Sequence, residues 1–173
     1  IENLGTSTAS FELSPLVMID QTGLVTIFNT KPEIGQGTYQ SIPALIAEEL
    51  EVAMDKIVIK QTGGEKKYGP AQFVGGSSSV RTNYTNLRKV GAAAKEMLVK
   101  AASATWNVPV SECYAENATV IHRPTGKKLG YGELAEAASK LEAPKNPTLK
   151  DSKDFKILGK SAPRPDIPMK VNG

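Results

Sequence analysis

The sequence is poor in the residue types that form metal sites and disulfide bonds. Its 173 residues include one cysteine, Cys113, and one histidine, His122. A lone cysteine excludes a disulfide within the chain and any zinc or iron–sulfur site built from this chain's thiolates alone. Since His122 has no second histidine with which to share a metal ion, we expect no metal ligation by it. We expect Cys113 to be a small apolar residue of the core or of a sheet edge.

Long apolar runs are also missing, and aromatic residues make up 6% of the chain. No segment approaches the roughly 20 apolar residues that a membrane-spanning helix requires, so we predict no membrane span. Hydrophobic residues nevertheless make up 40% of the chain. A chain of this length and composition can bury a sizeable core, which excludes intrinsic disorder for most of it.

The net charge of +3 comes from one end of the chain. Residues 145–173 contain seven basic and three acidic groups, whereas residues 1–144 contain 14 basic and 15 acidic groups. Because the basic groups are not interleaved with a series of aromatic residues, the pattern is typical of a solvated segment and not of a phosphate-reading surface. We therefore predict no nucleic-acid partner. An interaction module, in which the basic segment docks on an acidic partner, stays open.

The hydrophobic pattern predicts an α/β (α+β) domain with a mixed β-sheet packed by about three helices, in the order ββ-α-β-α-ββ-α. The predicted strands are residues 16–20, 24–28, 57–61, 114–116 and 119–122, and the predicted helices are residues 39–50, 83–106 and 131–141. From residue 143 the composition changes to proline, lysine and aspartate, which favours extended backbone. We therefore divide the chain into a domain, residues 1–142, and an extended C-terminal arm, residues 143–173.

Two glycine-rich turns each precede a predicted helix. The first turn is Gly35-Gln36-Gly37-Thr38 and the second turn is Gly75-Gly76-Ser77-Ser78-Ser79. The first N–H groups of a helix have no internal partner, and glycine lets a ligand approach the backbone, so such turns can bind phosphate. The alternative, that the glycines only make tight turns, stays open. Neither turn has the spacing of a nucleotide phosphate loop or a dinucleotide fingerprint.

The candidate binding residues follow from these turns. Thr38 is the predicted N-cap of the first helix, and the Arg81 guanidinium could add further donors beside the second turn. The candidates are Gly35, Gln36, Gly37, Thr38, Gly75, Gly76, Ser77, Ser78, Ser79 and Arg81. No set of nucleophile, base and orienting group can be assembled, so we name no catalytic residue and no metal ligand.

Two further pairs of residues have a structural and a functional interpretation. Glu48 and Glu49 are neighbours on a predicted helix, where their side chains diverge by about 100°, so we expect at least one of them on a solvated face. Tyr68 and Phe73 lie in the glycine-rich connection of residues 62–80. They either anchor this connection to the domain or line a ligand slot.

Four segments carry a family resemblance. They are residues 31–39 with 47–50, residues 75–82, residues 131–134 and residues 159–173. In this order they resemble the molybdopterin-binding large subunit of the xanthine dehydrogenase/aldehyde oxidoreductase family, in particular its isoquinoline 1-oxidoreductase beta-subunit type. The similarity extends over most of the chain from about Leu16.

The resemblance implies an oxidoreductase that hydroxylates an aldehyde or an N-heterocycle at a molybdenum centre, with water as the oxygen source. Electrons would pass to a separate iron–sulfur (2Fe–2S) subunit or domain. The molybdenum would be held by molybdopterin, in bacteria often as the cytosine dinucleotide, so no protein metal ligand is expected. The first turn would lie near the cofactor, with Gln36 bonding to the pterin or to molybdenum-bound oxygens, and the second turn near the phosphates.

The sequence departs from this family in its length. The family's large subunit is several times longer, and its catalytic glutamate, near the far C-terminus, has no counterpart here. The resemblance therefore implies an N-terminal fragment, inactive alone, whose residues 159–173 lead to a hammerhead-like domain of the same subunit. Its branch often carries a twin-arginine export signal, so periplasmic and cytoplasmic locations both stay open. The alternative function is a stand-alone phosphate- or nucleotide-binding module without catalysis.

Overall fold

A computed structural model describes residues 8–172, without the side chain of Met169. Its strands are β1 (Ser10–Ser14), β2 (Val17–Asp20), β3 (Val25–Asn29), β4 (Ile57–Gln61), β5 (Cys113–Glu116), β6 (Thr119–His122) and β7 (Lys128–Gly130). Its helices are α1 (Thr38–Leu50), α2 (Tyr84–Trp106), α3 (Tyr131–Ser139) and the short α4 (Ile167–Lys170). The predicted fold class, an α/β (α+β) domain with a mixed sheet and three main helices, is confirmed. No helix in the described part is long and apolar enough to span a bilayer.

The strands form two sheets. The first has the order β1-β2-β3-β4, with antiparallel pairing except between β3 and β4, which are parallel and joined through α1. The second is the antiparallel sheet β5-β6-β7. The sequence pattern did not predict β1, β7 or the division into two sheets. Strand β1 has two apolar residues and β7 has one, too few for a period to be recognised.

The predicted hairpin between β2 and β3 is confirmed, and its turn is held by one carboxylate. Asp20 Oδ1 accepts hydrogen bonds from the N–H groups of Thr22 at 2.8 Å and Leu24 at 3.0 Å. Gly23 has a φ of 90°, a left-handed conformation that glycine adopts without strain. The chain therefore reverses at this point with its short-range hydrogen bonds satisfied.

Helices α1 and α2 pack against each other through a glycine. The face of α1 that the pattern predicted to be apolar is buried, namely Ile42, Leu45, Ile46 and Leu50. A Cβ atom on Gly91 of α2 would clash with the carbonyl oxygen of Ile46. Only glycine therefore permits this helix separation. Helix α3 is fixed to the same region by the buried Tyr131, whose hydroxyl donates to the Leu50 carbonyl at 2.7 Å.

The C-terminal arm is anchored to the domain at α2 and at both ends of α1. The N–H of Thr148 donates to Glu96 of α2 at 2.7 Å. Further on, the N–H of Ile157 reaches Glu48 near the end of α1, also at 2.7 Å. Arg164 reaches the carbonyl of Gly35, just before α1 begins, at 3.0 Å. The expectation of a solvated segment is wrong at these anchor points.

The carboxylates of Glu48 and Glu49 are fully buried beneath the arm. Glu48 accepts hydrogen bonds from the backbone N–H groups of residues 156–158 at 2.7–3.1 Å and from Lys150 Nζ at 2.6 Å. Glu49 accepts from Arg88 Nε of α2 at 2.7 Å and from the N–H of Lys150 at 3.0 Å. The expectation that at least one carboxylate faces solvent is therefore wrong. The arm brings donors to both carboxylates, and α2 brings a further donor to Glu49.

We expect Gly91→Ala to lower the free energy of unfolding by about 1–3 kcal/mol, because the added methyl group meets the backbone of α1 and the helices must separate. This loss exceeds the gain of up to about 1 kcal/mol from the better helix propensity of alanine. Urea denaturation followed by circular dichroism measures the difference. Gly63→Ala is the control, since an added Cβ there meets only the Glu65 side chain, at 3.6 Å. Equal stability of the two variants would contradict the close helix contact.

We expect the contribution of Glu48 to stability to depend on pH. Burial raises the pKa of Glu48, but the hydrogen bonds from Lys150 and from the N–H groups of residues 156–158 outweigh it and hold the pKa below its ordinary value of 4.5. A carboxyl whose pKa falls on folding stabilises the fold above its unfolded pKa and loses that contribution as the pH drops through the folded value.

The difference in unfolding free energy between wild type and Glu48→Gln should therefore be large at pH 7 and shrink below about pH 4.5. Urea denaturation at a series of pH values measures it. The control is Glu136→Gln, which removes an exposed i,i+4 pair with Lys140 and should change stability little, because water screens exposed ion pairs. A wild-type advantage that persists unchanged at low pH would show that the charge of Glu48 is not what stabilises the fold.

Candidate functional site

The two glycine-rich turns face each other across one cleft of about 430 Å³. Its lining consists of Ile34, Gln36, Thr38, Ser41, Val74, Gly75, Ser77, Ser79 and Val80. Half of the predicted binding residues are among them, with members from both turns. The candidates that do not line it are Gly35, Gly37, Gly76, Ser78 and Arg81. The fold thus brings together two segments that are forty residues apart in the sequence.

In the first turn, the side chain of Glu33 occupies the position where an anion would bind. Its carboxylate accepts hydrogen bonds from the N–H groups of Gly35 at 2.7 Å, Gly37 at 3.0 Å and Tyr39 at 2.8 Å. A carboxylate at a helix N-terminus also interacts favourably with the helix dipole. These three N–H groups are therefore satisfied within the chain, and sequence reasoning did not identify Glu33 as their partner.

The prediction that Thr38 is the N-cap of α1 is wrong. Gly37 is the N-cap, with a φ of 90°, and Thr38 is the first helical residue. The Thr38 hydroxyl lies 3.0 Å from the carbonyl oxygen of Pro32, to which it can donate. Thr38 does not cap α1, because Glu33 already accepts the N–H of Tyr39 at the start of the helix.

The side chain of Gln36 is bonded within its own turn. Its Oε1 accepts from the N–H of Ile34 at 2.7 Å, and its Nε2 donates to the carbonyl of Pro32 at 2.8 Å and to Thr38 Oγ1 at 3.0 Å. The side chain is nevertheless exposed and lines the cleft. The role of Gln36 in contacting a ligand stays a prediction.

The second turn has free hydrogen-bond donors. Ser78 donates from its N–H and its hydroxyl to the Gly75 carbonyl at 3.3 Å and 2.7 Å. Within residues 8–172, the N–H groups of Gly76, Ser77 and Ser79 have no protein acceptor, nor do the hydroxyls of the two serines. A Cβ on Gly75 would meet nothing within 4 Å, so the backbone is accessible from the cleft side. The two turns are therefore chemically different.

The expectation that the second turn lies at a helix N-terminus is wrong. Residues 79–83 form a further turn, and α2 begins at Tyr84 with Asn83 as its N-cap. The Asn83 side chain donates to the Ser79 carbonyl at 2.9 Å, which ties the two parts together. Arg81 is exposed in this intervening turn and does not line the cleft. The donors of the second turn are therefore turn amides and not the first N–H groups of a helix.

Lys31 fixes the second turn opposite the first, and sequence reasoning missed it. Its side chain is 4% exposed, and its Nζ donates to the carbonyl oxygens of Ala71 at 2.5 Å and Phe73 at 3.4 Å. Burial lowers the pKa of Lys31. Lys31 lies shortly before the first turn and residues 71–73 lie shortly before the second, so these hydrogen bonds link the two segments that form the cleft.

The connection of residues 62–80 is also held by an aromatic contact. The Tyr68 ring lies 5.2 Å from the ring of Phe28 on β3, between their centroids. Of the two interpretations of Tyr68, the structure supports an anchor. Phe73 is 62% exposed, and its ring lies 5.2 Å from Lys31 Nζ. It does not line the cleft between the turns.

Cys113 and His122 lie in the second sheet, away from this cleft. Cys113 is buried on the edge strand β5, which confirms its predicted structural role, and burial raises the pKa of its thiol. His122 is buried, with Nδ1 2.7 Å from Thr125 Oγ1 and Nε2 2.8 Å from a Glu112 carboxylate oxygen. In the described residues, no group of three or more potential ligands could hold a metal ion.

Comparison with known proteins gives relatives along almost the whole chain. A family profile described as "Molybdopterin cofactor-binding domain" matches residues 2–169. The beta chain of isoquinoline 1-oxidoreductase from Brevundimonas diminuta is 29% identical, over 96% of this chain and 26% of that protein. A nicotinate dehydrogenase subunit from Pseudomonas putida is 30% identical, over 94% of this chain and 14% of that protein.

Solved structures share the fold. Quinoline 2-oxidoreductase from Pseudomonas putida 86 matches with a TM-score of 0.55 and 20% identity, over 70% of this chain and 15% of that one. The Cu,Mo-CO dehydrogenase matches with a TM-score of 0.50 and 19% identity, over 75% and 18%. The chain thus spans 26% or less of the length of each of these proteins. The profile match shows that the chain belongs to the molybdopterin cofactor-binding domain family of molybdenum-dependent oxidoreductases, as the four sequence segments predicted.

Proposed function

We propose that this chain is the N-terminal, cofactor-binding part of a molybdenum hydroxylase large subunit, and that the cleft between its two turns holds part of molybdopterin. The complete enzyme hydroxylates an aldehyde or an N-heterocycle with oxygen from water. It passes the electrons to an iron–sulfur (2Fe–2S) subunit or domain. The observation that supports this most directly is the meeting of two family segments, residues 31–39 and 75–82, at one cleft.

The donors of the second turn fit the phosphates of a dinucleotide form of the cofactor, such as the cytosine dinucleotide. Phosphate oxygens need several converging donors, and the unpaired N–H groups and hydroxyls of Ser77 and Ser79, which line the cleft, can supply them. Gly75 adds no side chain that would hold the phosphates away from these donors. We assign the phosphates to the second turn for this reason.

The first turn contributes a side chain and a fixed shape. Two of its four N–H groups, those of Gly35 and Gly37, are already bonded to Glu33, so these two are not available to a ligand. Gln36 is exposed on the cleft wall and can exchange its bonds within the turn for bonds to the pterin part. When bound, molybdopterin supplies the molybdenum at which oxidation takes place. The chain's own residues bind and orient it.

The chain alone is proposed to be inactive. Its cleft contains hydroxyl and amide groups, but among the described residues no carboxylate or imidazole side chain lines it that could act as a general base. The catalytic glutamate is assigned to the part of the large subunit that follows this chain. Ile34 and Val80 at the edge of the cleft are 76% and 38% exposed, as expected of apolar groups that the rest of the subunit covers.

We expect the chain to bind molybdopterin cytosine dinucleotide through the second turn. Titration of the ¹⁵N-labelled chain should shift the amide resonances of residues 75–79. Gly75→Leu places a side chain in the open space beside the cleft and should weaken binding at least about tenfold, equivalent to about 1.4 kcal/mol. Gly63→Leu, in the same connection but outside the cleft, is the control and should bind like wild type.

Other outcomes separate the alternatives. Equal affinity for cytidine diphosphate and for the dinucleotide would favour a stand-alone nucleotide-binding module, because the pterin part would then contribute nothing. Absence of resonance shifts with either compound would overturn the assignment of the cleft. A stop codon directly after the Gly173 codon in the gene would overturn the assignment as a fragment, whatever the binding result.

A further inference from the structure

A network of charged side chains holds the first turn from the side of the C-terminal arm. Arg164 donates from one terminal nitrogen to the Gly35 carbonyl at 3.0 Å and from the other to Glu33 Oε1 at 3.3 Å. Its Nε and the second terminal nitrogen also donate to the Asp166 carboxylate at 3.0 Å and 2.7 Å. Lys170 Nζ reaches the same carboxylate at 2.5 Å. Arg164 thus contacts the first turn and the Glu33 carboxylate, which lie 129 and 131 residues before it in the sequence.

Glu33 is the centre of this network because its carboxylate bonds to both sides. It accepts hydrogen bonds from the N–H groups of Gly35 and Gly37 in the first turn, from the N–H of Tyr39 and from the guanidinium of Arg164. Gly35 and Gly37 both have left-handed φ values, 103° and 90°. Glycines have the largest conformational freedom to lose, so a turn containing two of them needs an external anchor to keep one shape.

The two carboxylates of the network are largely shielded from water, which strengthens their charged hydrogen bonds. The side chains of Glu33 and Asp166 are 12% and 6% exposed, and that of Arg164 is 32% exposed. Burial raises the pKa of Glu33, but the bonds from the turn N–H groups and the charge of Arg164 outweigh it and lower the pKa. Hydrogen bonds from Arg164 and Lys170 hold the pKa of Asp166 far below its usual range.

The arm is also anchored at the opposite end of α1. Glu48, near the C-terminus of α1, binds the backbone of residues 156–158, and the arm then passes Gln40, whose Nε2 lies 3.5 Å from the Ala162 carbonyl. Arg164 follows at the N-terminus of α1. Only five residues, 159–163, separate the two anchors, so a fixed arm backbone at Glu48 places Arg164 beside Glu33.

We propose that Glu33 and Arg164 are positioning residues of the cofactor cleft. Glu33 holds the first turn in the shape that forms one wall of the cleft, and Arg164 makes that shape depend on docking of the C-terminal arm. We call this pair the Glu33–Arg164 clamp. The clamp follows from contacts within the chain, whereas its consequence for cofactor affinity rests on the proposed function.

Amide hydrogen exchange of the full 173-residue chain, followed by NMR, tests the clamp. We expect Arg164→Ala and Glu33→Gln to speed exchange of the Gly35, Gly37 and Tyr39 amides at least about tenfold, while core amides such as that of Leu98 on α2 keep their wild-type rates. Arg164→Lys keeps the charge but loses the forked geometry of the guanidinium. It should therefore give intermediate rates, and this conservative variant keeps the test decisive if Arg164→Ala fails to fold.

The control variant is Arg123→Ala. Arg123 stacks on the Tyr114 ring, 4.3 Å from its centroid, in the second sheet. Exchange in the first turn that is as slow in Arg164→Ala as in Arg123→Ala would overturn the clamp. An equal acceleration at the Leu98 amide would also overturn it, because Arg164 would then contribute to global stability alone.

Cofactor titration of the same variants separates the two proposals. If the proposed function holds, Arg164→Ala binds molybdopterin cytosine dinucleotide several-fold more weakly than Arg123→Ala does. If wild type shows no binding while the exchange rates change as expected, the clamp stands and the proposed function fails. Unchanged affinity in Arg164→Ala, with wild type binding, would overturn the positioning role.

Discussion

The buried carboxylate of Glu48 determines how the rest of the chain is arranged around α1. Burying an ionised carboxylate without partners costs roughly several kcal/mol, so the fold must supply hydrogen-bond donors to the buried Glu48 side chain. Here the donors are Lys150 and three consecutive backbone N–H groups. The first of these N–H groups lies 108 residues further along the chain. Backbone N–H groups can converge on one carboxylate only if their segment adopts one fixed path. Glu48 therefore fixes the path of the arm, and the arm in turn shields Glu48 from water.

This constraint extends to the cleft between the two turns, because α1 has a contact with the arm at each of its ends. Helix α1 has Glu48 near its C-terminus and the first turn at its N-terminus, and the same arm contacts both. The close packing of α2 at Gly91 leaves α1 little room to move on its other side. The first turn is therefore held in one shape, with the N–H groups of both its glycines bonded to Glu33. The second turn keeps its donors free, and Lys31 holds it at a fixed distance.

Local features of this fold could be predicted from the sequence, and contacts between distant segments could not. The hairpin around Gly23, the burial of Ile42 and its neighbours on α1, and the antiparallel pair β5–β6 all follow from short-range turn chemistry and periodicity. Five of the nine residues that line the cleft belong to the two turns, which were selected because glycine-rich turns have a known use, and their role in binding stays a prediction. The pairing of Glu33 with Arg164 and of Glu48 with residues 156–158 could not be recognised, because these partners are more than 100 residues away. The bonds of Glu33 to the first turn are local, and they were missed because the pattern assigned the capping role to Thr38.

Basic residues of the arm pair with carboxylates of the chain itself. Four of the arm's basic residues form ion pairs. Lys150 pairs with Glu48 and Glu51, and Lys156 pairs with Glu51 and Glu116. Arg164 pairs with Glu33 and Asp166, and Lys170 also pairs with Asp166. Except for Asp166, these carboxylates belong to the domain, and three of them lie within residues 33–51. An external acidic partner would have to compete with these bonds for the same cations. The excess of positive charge near the C-terminus therefore matches an acidic surface of the chain's own domain, which argues against the arm as a docking site for another protein.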